Sequence, residues 1–348
     1  MGSRYEFKLA DVKLGGHSDT VISLYIHATS SNYWLLSGSD DGSVKLWDTN
    51  DPATCLHSVV LQEREPVTSI CAGGKPDQVF SASASNIYSL IICESSDNDQ
   101  QIKIQHSLFS QGVNQDEINQ LCISLRKNAP YLAAADDTGC IQVYHASQQT
   151  DSNRRQLYKS ILNKHTTICS AILFPKNSPW CLLSGGYDCQ LVSTDFSIGK
   201  TLWSLNMQNT DKKAPDNQLV NPPFVHSIVM QSSQPKQKRD VALVGLGNGT
   251  FFEILVKTGD ILVTRENAHA SGVIQLLSVN PNLVISLGND RMIKVWLKEI
   301  EMYQLVAEIR HDRKLNAAII QTCSQGYKLY VADVSSNISI YKLEITSD

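Results

Sequence analysis

The stretch GHSDTVISL (residues 16–24), followed by LLSGSDDGSVKLWD (residues 35–48), decides the fold. Apolar runs with the alternation of half-buried strands flank a tight Asp-Asp-Gly turn, and the polar residues left over are spaced so that they can satisfy one another. Asp41 in the turn can orient His17, His17 can reach Ser37, and the Ser37 hydroxyl can meet the indole N–H of Trp47. Each of these polar groups then has a partner when the strands bury it. The same pattern returns in AHASGVIQLL (268–277) and VISLGNDRMIKVW (284–296), which supply His269, Ser286, Asp290 and Trp296. Trp47 follows Asp41, and Trp296 follows Asp290, by six residues. Asp41 and Asp290 therefore read as structural groups that hold an imidazole in place, not as acid–base catalysts.

Short strands rich in Val, Ile, Leu and Tyr recur along the 348 residues with polar turns about every 8–12 residues, and no helical period competes with them. Grouped in fours they predict an all-β, seven-bladed β-propeller of WD repeats, a class whose period is about 40–45 residues. The blades fall near 15–50, 55–95, 104–147, 157–198, 200–258, 260–300 and 302–345, within a single domain spanning 1–348. An open ring would leave bare sheet edges. The strand from Tyr5 to Leu14 is therefore expected to close the ring as the outer strand of the last blade, beside NISIYKLEI (337–345).

Other copies of the repeat are degraded. The third keeps Asp137, with Glu117 near the His position and Tyr144 near the Trp. The fourth keeps His165, Ser184 and Asp188 but has Thr194 where the indole belongs. The fifth has His226 and Asn248, the seventh His311, Asp333 and Tyr341, and the second little beyond its strand pattern. Those blades must rely on apolar packing between sheets. The polar stretches 94–101 and 147–155 read as connecting loops, whereas 208–223 reads as a loop that points to the partner face.

Composition narrows the chemistry. A net charge of −4 and a pI near 6.1 give no basic footprint for nucleic acid. No run approaches the roughly 20 apolar residues of a membrane helix, so no membrane partner is expected. The nine cysteines form no CxxC pair and sit mostly in apolar runs, which predicts reduced thiols in the cytoplasm or nucleus. Gly245, Gly247 and Gly249 precede another strand, so they read as a hairpin rather than a phosphate cradle, which needs a helix N-terminus. PKQKR (235–239) reads as a solvated hairpin tip. The nine histidines lack metal-ligand spacing and no nucleophile–base motif occurs. The expectation is a protein with no metal, no cofactor and no catalytic activity.

Aligning the blades on their His and Asp positions places Arg64, Glu117, Asp136, Tyr187, Asn221, Pro222, Phe224, Arg313 and Lys314 on the face where the His loops and Asp turns emerge. Aromatic and Arg side chains are frequent interface anchors, and Pro222 and Pro223 pre-order the chain that presents Phe224. These residues are the expected partner-binding set.

VNQDEIN (113–119), AADDTGCIQV (134–143), KHTTICSAILFP (164–175), LLSGGYDCQL (182–191), LWSLNMQ (202–208) and QLVNPPFVHSI (218–228) resemble the WD repeat-containing protein 53 family. The resemblance implies a non-enzymatic, monomeric interaction scaffold. It also implies a substrate receptor of cullin-4 ubiquitin ligases, bound through the ligase's propeller adaptor and presenting a substrate protein. Such receptors often carry Trp-Asp-x-Arg, whereas this chain has Trp47-Asp48-Thr49-Asn50 and Trp296-Leu297-Lys298-Glu299. Any adaptor contact is thus expected to use other surfaces, such as the segment before Leu14 or the outer edges of the early blades. The alternative is a fixed subunit of another assembly, in RNA processing or trafficking, with no ligase role.

Overall fold

A computed structural model describes residues 3–29, 32–51, 54–62, 64–94, 102–111, 114–124, 130–147, 157–209, 221–232, 239–324 and 326–347. Most of the stretches expected as loops at 94–101, 147–155 and 208–223, and of the basic run 235–239, lies outside those residues. Among the described residues, 28 strands form seven four-stranded antiparallel sheets, with one short 3-10 turn at Met207–Asn209. No described helix is long and apolar enough to cross a membrane.

Blade 1 shows the plan. Its strands run Val21–Ala28, Tyr33–Ser39, Ser43–Asp48 and Cys55–Val60, from the innermost outward, each paired with the next. The outermost strand pairs Ser43 with Val60 and Trp47 with Cys55. The blade limits read from sequence are therefore one strand out of step, because they assign the chain from residue 55 onward to the second blade. The polar turn after Trp47-Asp48 is a hairpin within one sheet, and the chain crosses to a new blade only in the loop that precedes each innermost strand. The sheets span 21–60, 69–110, 118–161, 169–206, 225–265 and 273–310, and the seventh joins 315–347 to 3–15.

That seventh sheet closes the ring as the sequence requires. Ser3–Gly15 lies antiparallel to Asn337–Ser347, with Arg4 opposite Thr346 and Leu14 opposite Ile338, and a register shift between Leu9 and Lys13. The Lys8–Glu344 ion pair at 2.6 Å is exposed and adds little. Leu14 matters more, being buried with Leu35, Trp47, Tyr330 and Ile340 between blades 7 and 1.

The apolar core is divided into seven clusters, each between consecutive blades. Each sheet thus buries both faces against its neighbours. A close approach is made by the start of one blade's innermost strand, or the residues just before it, to the second strand of the preceding blade. A Cβ on Gly38 would lie 2.5 Å from Val67, and one on Gly185 2.2 Å from Val225. Both valines are β-branched and stiff, so neither can swing aside. Gly185→Ala is expected to destabilise by about 1–3 kcal/mol through overpacking. Urea unfolding tests this, and an unchanged midpoint would contradict the packing described.

Candidate interaction face

In blade 1 the relay is a chain of single-direction hydrogen bonds. Trp47 Nε1 donates to Ser37 Oγ at 2.8 Å. His17 Nε2 lies 2.7 Å from that hydroxyl, and His17 Nδ1 lies 3.0 Å from Asp41 Oδ2. With the proton on Nδ1, Ser37 donates to the imidazole and the imidazole donates to the carboxylate, so every donor of the chain has an acceptor. Asp41 also accepts from the Ser18 and Ser43 backbone N–H groups, at 2.9 Å each, which ties the entering loop to the turn. Blade 6 repeats this geometry: His269 lies 2.9 Å from Asp290 and 2.7 Å from Ser286, and Trp296 donates to Ser286 at 2.7 Å.

Burial lowers the His17 pKa despite the nearby Asp41. Burial alone would raise Asp41, but the Ser43 hydroxyl, the Ser18 and Ser43 N–H groups and His17 bring it down to about 2. Asp188, Asp290 and Asp333 are lowered in the same way, with burial opposed chiefly by the hydrogen bond from His165, His269 or His311.

The degraded blades solve the same problem differently. In blade 4, His165 reaches Asp188 at 3.0 Å and Ser184 at 2.8 Å, but Thr194 replaces the indole and its buried hydroxyl has no partner among the described residues. In blade 7, His311 joins Asp333 at 2.7 Å to the Tyr341 hydroxyl at 2.6 Å. Blade 3 matches blade 7: Tyr144 donates to Asn114 at 3.0 Å, and Asn114 donates to Asp136 at 3.3 Å. A Tyr hydroxyl reaches past the place of the missing Ser, and the carboxylate enters from the end of the second strand instead of the turn. In blade 2, Ser81 occupies the relay serine's register position, and its buried hydroxyl has no partner among the described residues.

Three sequence assignments are corrected here. The relay residue lies four positions before its innermost strand: that residue is Asn114 rather than Glu117 in blade 3, where it is hydrogen-bonded to Tyr144 and Asp136, and the same position in blade 5 is held by Asn221 rather than His226. Asp136, expected on the partner face, is fully buried and accepts from Thr138, Cys140 and Asn114. Counting back from the strand start would have located both Asn residues.

Above the relays, a backbone bond joins the entering loop to the turn in six of the seven blades. Asp40 N donates to Thr20 O, Asp137 N to Glu117 O, Tyr187 N to Ile168 O, Gly247 N to Phe224 O, Asn289 N to Gly272 O and Val334 N to Lys314 O, all between 2.8 and 3.1 Å. These pairs stand at the mouth of the ring, next to the innermost strands. Tyr187 and Phe224 stack there across blades 4 and 5, with ring centroids 4.9 Å apart and planes 14° apart, and His226 stands edge-on to both. Both aromatics are half-buried, so Phe224 is a shelf shared by two blades rather than a bare tip. Arg64, Arg313 and Lys314 are exposed on the same face; Glu117, Asn221 and Pro222 are partly buried. Ile168, half-buried, takes part through its carbonyl, which accepts the Tyr187 N–H, and was not singled out in the sequence, where nothing marks it apart from core residues. Among the described residues no group of three His, Cys, Asp or Glu side chains could hold a metal ion, and all nine cysteines are free.

Residues 10–48, the stretch around the first relay, match the family described as WD domain, G-beta repeat. The chain is a seven-bladed β-propeller with a WD repeat in its first blade. It is similar to the WD repeat-containing protein 53 homolog of Dictyostelium discoideum, with 24% identity over 371 residues, covering 97% of this chain and 95% of the relative. Among solved structures, the WD40 beta propeller domain of Doa1 superposes with a TM-score of 0.69 at 16% identity, covering 97% of each chain. That likeness shows the fold alone.

Two predictions follow from the relays. Asp41→Ala and Asp290→Ala each take the carboxylate from a buried His donor, leaving His17 only the Ser43 hydroxyl at 3.1 Å, and should cost about 1–3 kcal/mol, whereas Ser81→Ala and Thr194→Val remove hydroxyls without a partner among the described residues and should be neutral or stabilising. Melting temperatures of the four variants decide; wild-type values for both Asp variants would overturn the relay's structural role. The second concerns pH. The lowered His17 and Asp values mean that the unfolded chain binds protons first, so stability is full above the unfolded His value of about 6.5 and falls as pH drops. The steeper loss is expected from about pH 4 toward 2, as the relay carboxylates are protonated. Asp41→Asn should flatten that limb, and an unchanged acid limb would contradict the assignment.

Proposed function

We propose that this propeller, a protein–protein interaction scaffold by its fold, is non-enzymatic and monomeric, works in the cytoplasm or nucleus, and holds its partner across the face bearing the relay loops. The observation that carries this reading is the stacked Tyr187–Phe224 pair, half exposed and held by two blades at the mouth of the ring. Aromatic side chains held in fixed positions bury much area with little rotamer loss, which is what interface anchors need. The double variant Tyr187→Ala, Phe224→Ala, with its fold checked by melting, should lose its partners in affinity purification. An unchanged partner list from the folded variant would move the interface elsewhere.

The finer role, which rests on the resemblance of the sequence to the WD repeat-containing protein 53 family, is presentation of a substrate protein to a cullin-4 ubiquitin ligase. The Arg of the usual adaptor motif is absent: Asn50 is exposed, short and neutral, and Asp48 is occupied by the Asn50 backbone N–H at 2.8 Å. A guanidinium fork would make bidentate contacts that Asn50 cannot. Asn50→Arg is therefore expected to increase co-precipitation of the adaptor, and Asp48→Ala to change it little. If neither wild type nor Asn50→Arg captured adaptor, the ligase role would fall and the scaffold would remain.

A second reading, a constant subunit of a fixed assembly, is favoured by one observation at the opposite end of the ring. Ile198, Leu202, Ile261, Leu262, Ile300 and Met302 are exposed in the turns leading to the outer strands, or early in those strands, of blades 4, 5 and 6, with Ile300 at 95%. Exposed apolar residues gathered on one rim mark contact surfaces. Copurification of an invariant partner set that Ile300→Glu releases would favour this reading; a variable set would oppose it.

A further inference from the structure

We infer that the mouth of the ring binds a cationic, extended peptide segment of a partner protein, with an apolar or aromatic side chain of that segment on the Tyr187–Phe224 shelf and Lys or Arg side chains over blades 1 to 3. The inference rests on the proposed use of this face and adds the chemistry of what it takes.

The shelf supplies the anchor and its surroundings supply the sign. Tyr187 sits on the turn of blade 4 beside the corresponding turn of blade 3, where Asp137 is close enough to act on the phenol, behind the larger effect of burial. Asp137 is tied to Glu117 by the backbone bond at the mouth. Glu117 in turn lies within electrostatic range of Asp137, Asp116, Asp40 and Glu65; burial first, and then these four, raise its pKa. Among the described residues none of the five carboxylates forms an ion pair, and Arg64, exposed beside Glu65, forms none either. A concavity of about 370 Å³ opens between Glu65-Pro66, Ala84 and Gln115–Glu117, wide enough for the end of a long side chain.

The face is also polarised. Arg313 and Lys314 are exposed on blade 7, and Arg291 on the blade 6 turn reaches the Asp312 carbonyl at 3.1 Å. A cationic segment is repelled from that side and attracted to the side where the aromatic shelf begins, so charge complementarity sets both its position and its direction. A Lys or Arg next to the shelf can also approach the aromatic rings themselves, an attraction that adds to the carboxylate contacts. The occupant is drawn as an extended strand because the mouth offers side-chain contacts in sequence from blade to blade.

The probe is a short fluorescein-labelled synthetic peptide of Gly and Ser carrying one Phe and several Arg, titrated with the whole chain by fluorescence anisotropy. It should bind saturably, with affinity that falls as salt rises, while the same peptide with Glu in place of Arg should not bind. Replacing its Phe by Ala should weaken binding about tenfold, the size expected for losing a partly buried aromatic contact. Glu65→Gln and Glu117→Gln, neither in a relay, should each weaken it about three- to fivefold without changing the melting temperature. Absence of saturable binding at low salt, equal binding of the Glu peptide, or full affinity in the double Glu65→Gln, Glu117→Gln variant would each overturn the inference. If the peptide fails but Tyr187→Ala, Phe224→Ala still releases protein partners, the scaffold reading stands without this chemistry. If the peptide binds and that variant keeps its partners, the cationic site stands and the main interface lies elsewhere.

Discussion

The tie between the loop that enters each blade and the turn between its second and third strands is the interaction on which the rest of the structure depends. A backbone hydrogen bond makes it in six blades, and in five a buried side-chain chain reinforces it from below. Because the innermost strand starts a fixed distance beyond that loop, the tie also sets where the strand meets the preceding blade. The loop residues at the mouth, including Glu117, Ile168 and Phe224, are placed by the same bond. Fold and interaction face therefore share one local device.

Its chemistry is replaceable as long as each buried donor finds an acceptor. Blades 1 and 6 use Trp, Ser, His and Asp. Blades 3 and 7 substitute a Tyr hydroxyl and take their carboxylate from the end of the second strand. A buried polar chain of this kind contributes mainly by avoiding the cost of unpaired groups. The favourable term comes from the seven apolar clusters between blades, which exist only if the ring is closed. Closure rests on the N-terminal strand, which makes no relay bond itself but helps to hold the first relay, through Leu14 against Trp47.

The architecture was legible in the sequence because two intact copies fixed the spacing and a closing strand followed from the edges of an open ring. The blade limits were not, since the turn after Trp47-Asp48 has the same polar composition whether the chain stays in the sheet or leaves it. The partner face was partly legible. Tyr187 and Phe224 fall where the alignment put them, but their stacking joins residues 37 positions apart on different blades, which no local pattern encodes. Asp136 and His226 were misread because alignment on residue type followed the letters Asp and His. The physical constraint is distance from the strand start, and at that distance stand the two asparagines, Asn114 and Asn221.

Backbone hydrogen–deuterium exchange in Asp188→Ala tests the central claim most directly. In the wild-type chain the Tyr187 amide, bonded to Ile168 O at 3.0 Å, should exchange slowly, as should those of Asp137 and Asn289. In the variant, protection at Tyr187 should fall while Asp137 and Asn289 keep theirs, because Asp188 holds the blade 4 turn through His165 and the Thr166 N–H. A Tyr187 amide that exchanges freely in the wild type, or keeps full protection in the variant, would contradict the view that loop-to-turn ties position the mouth.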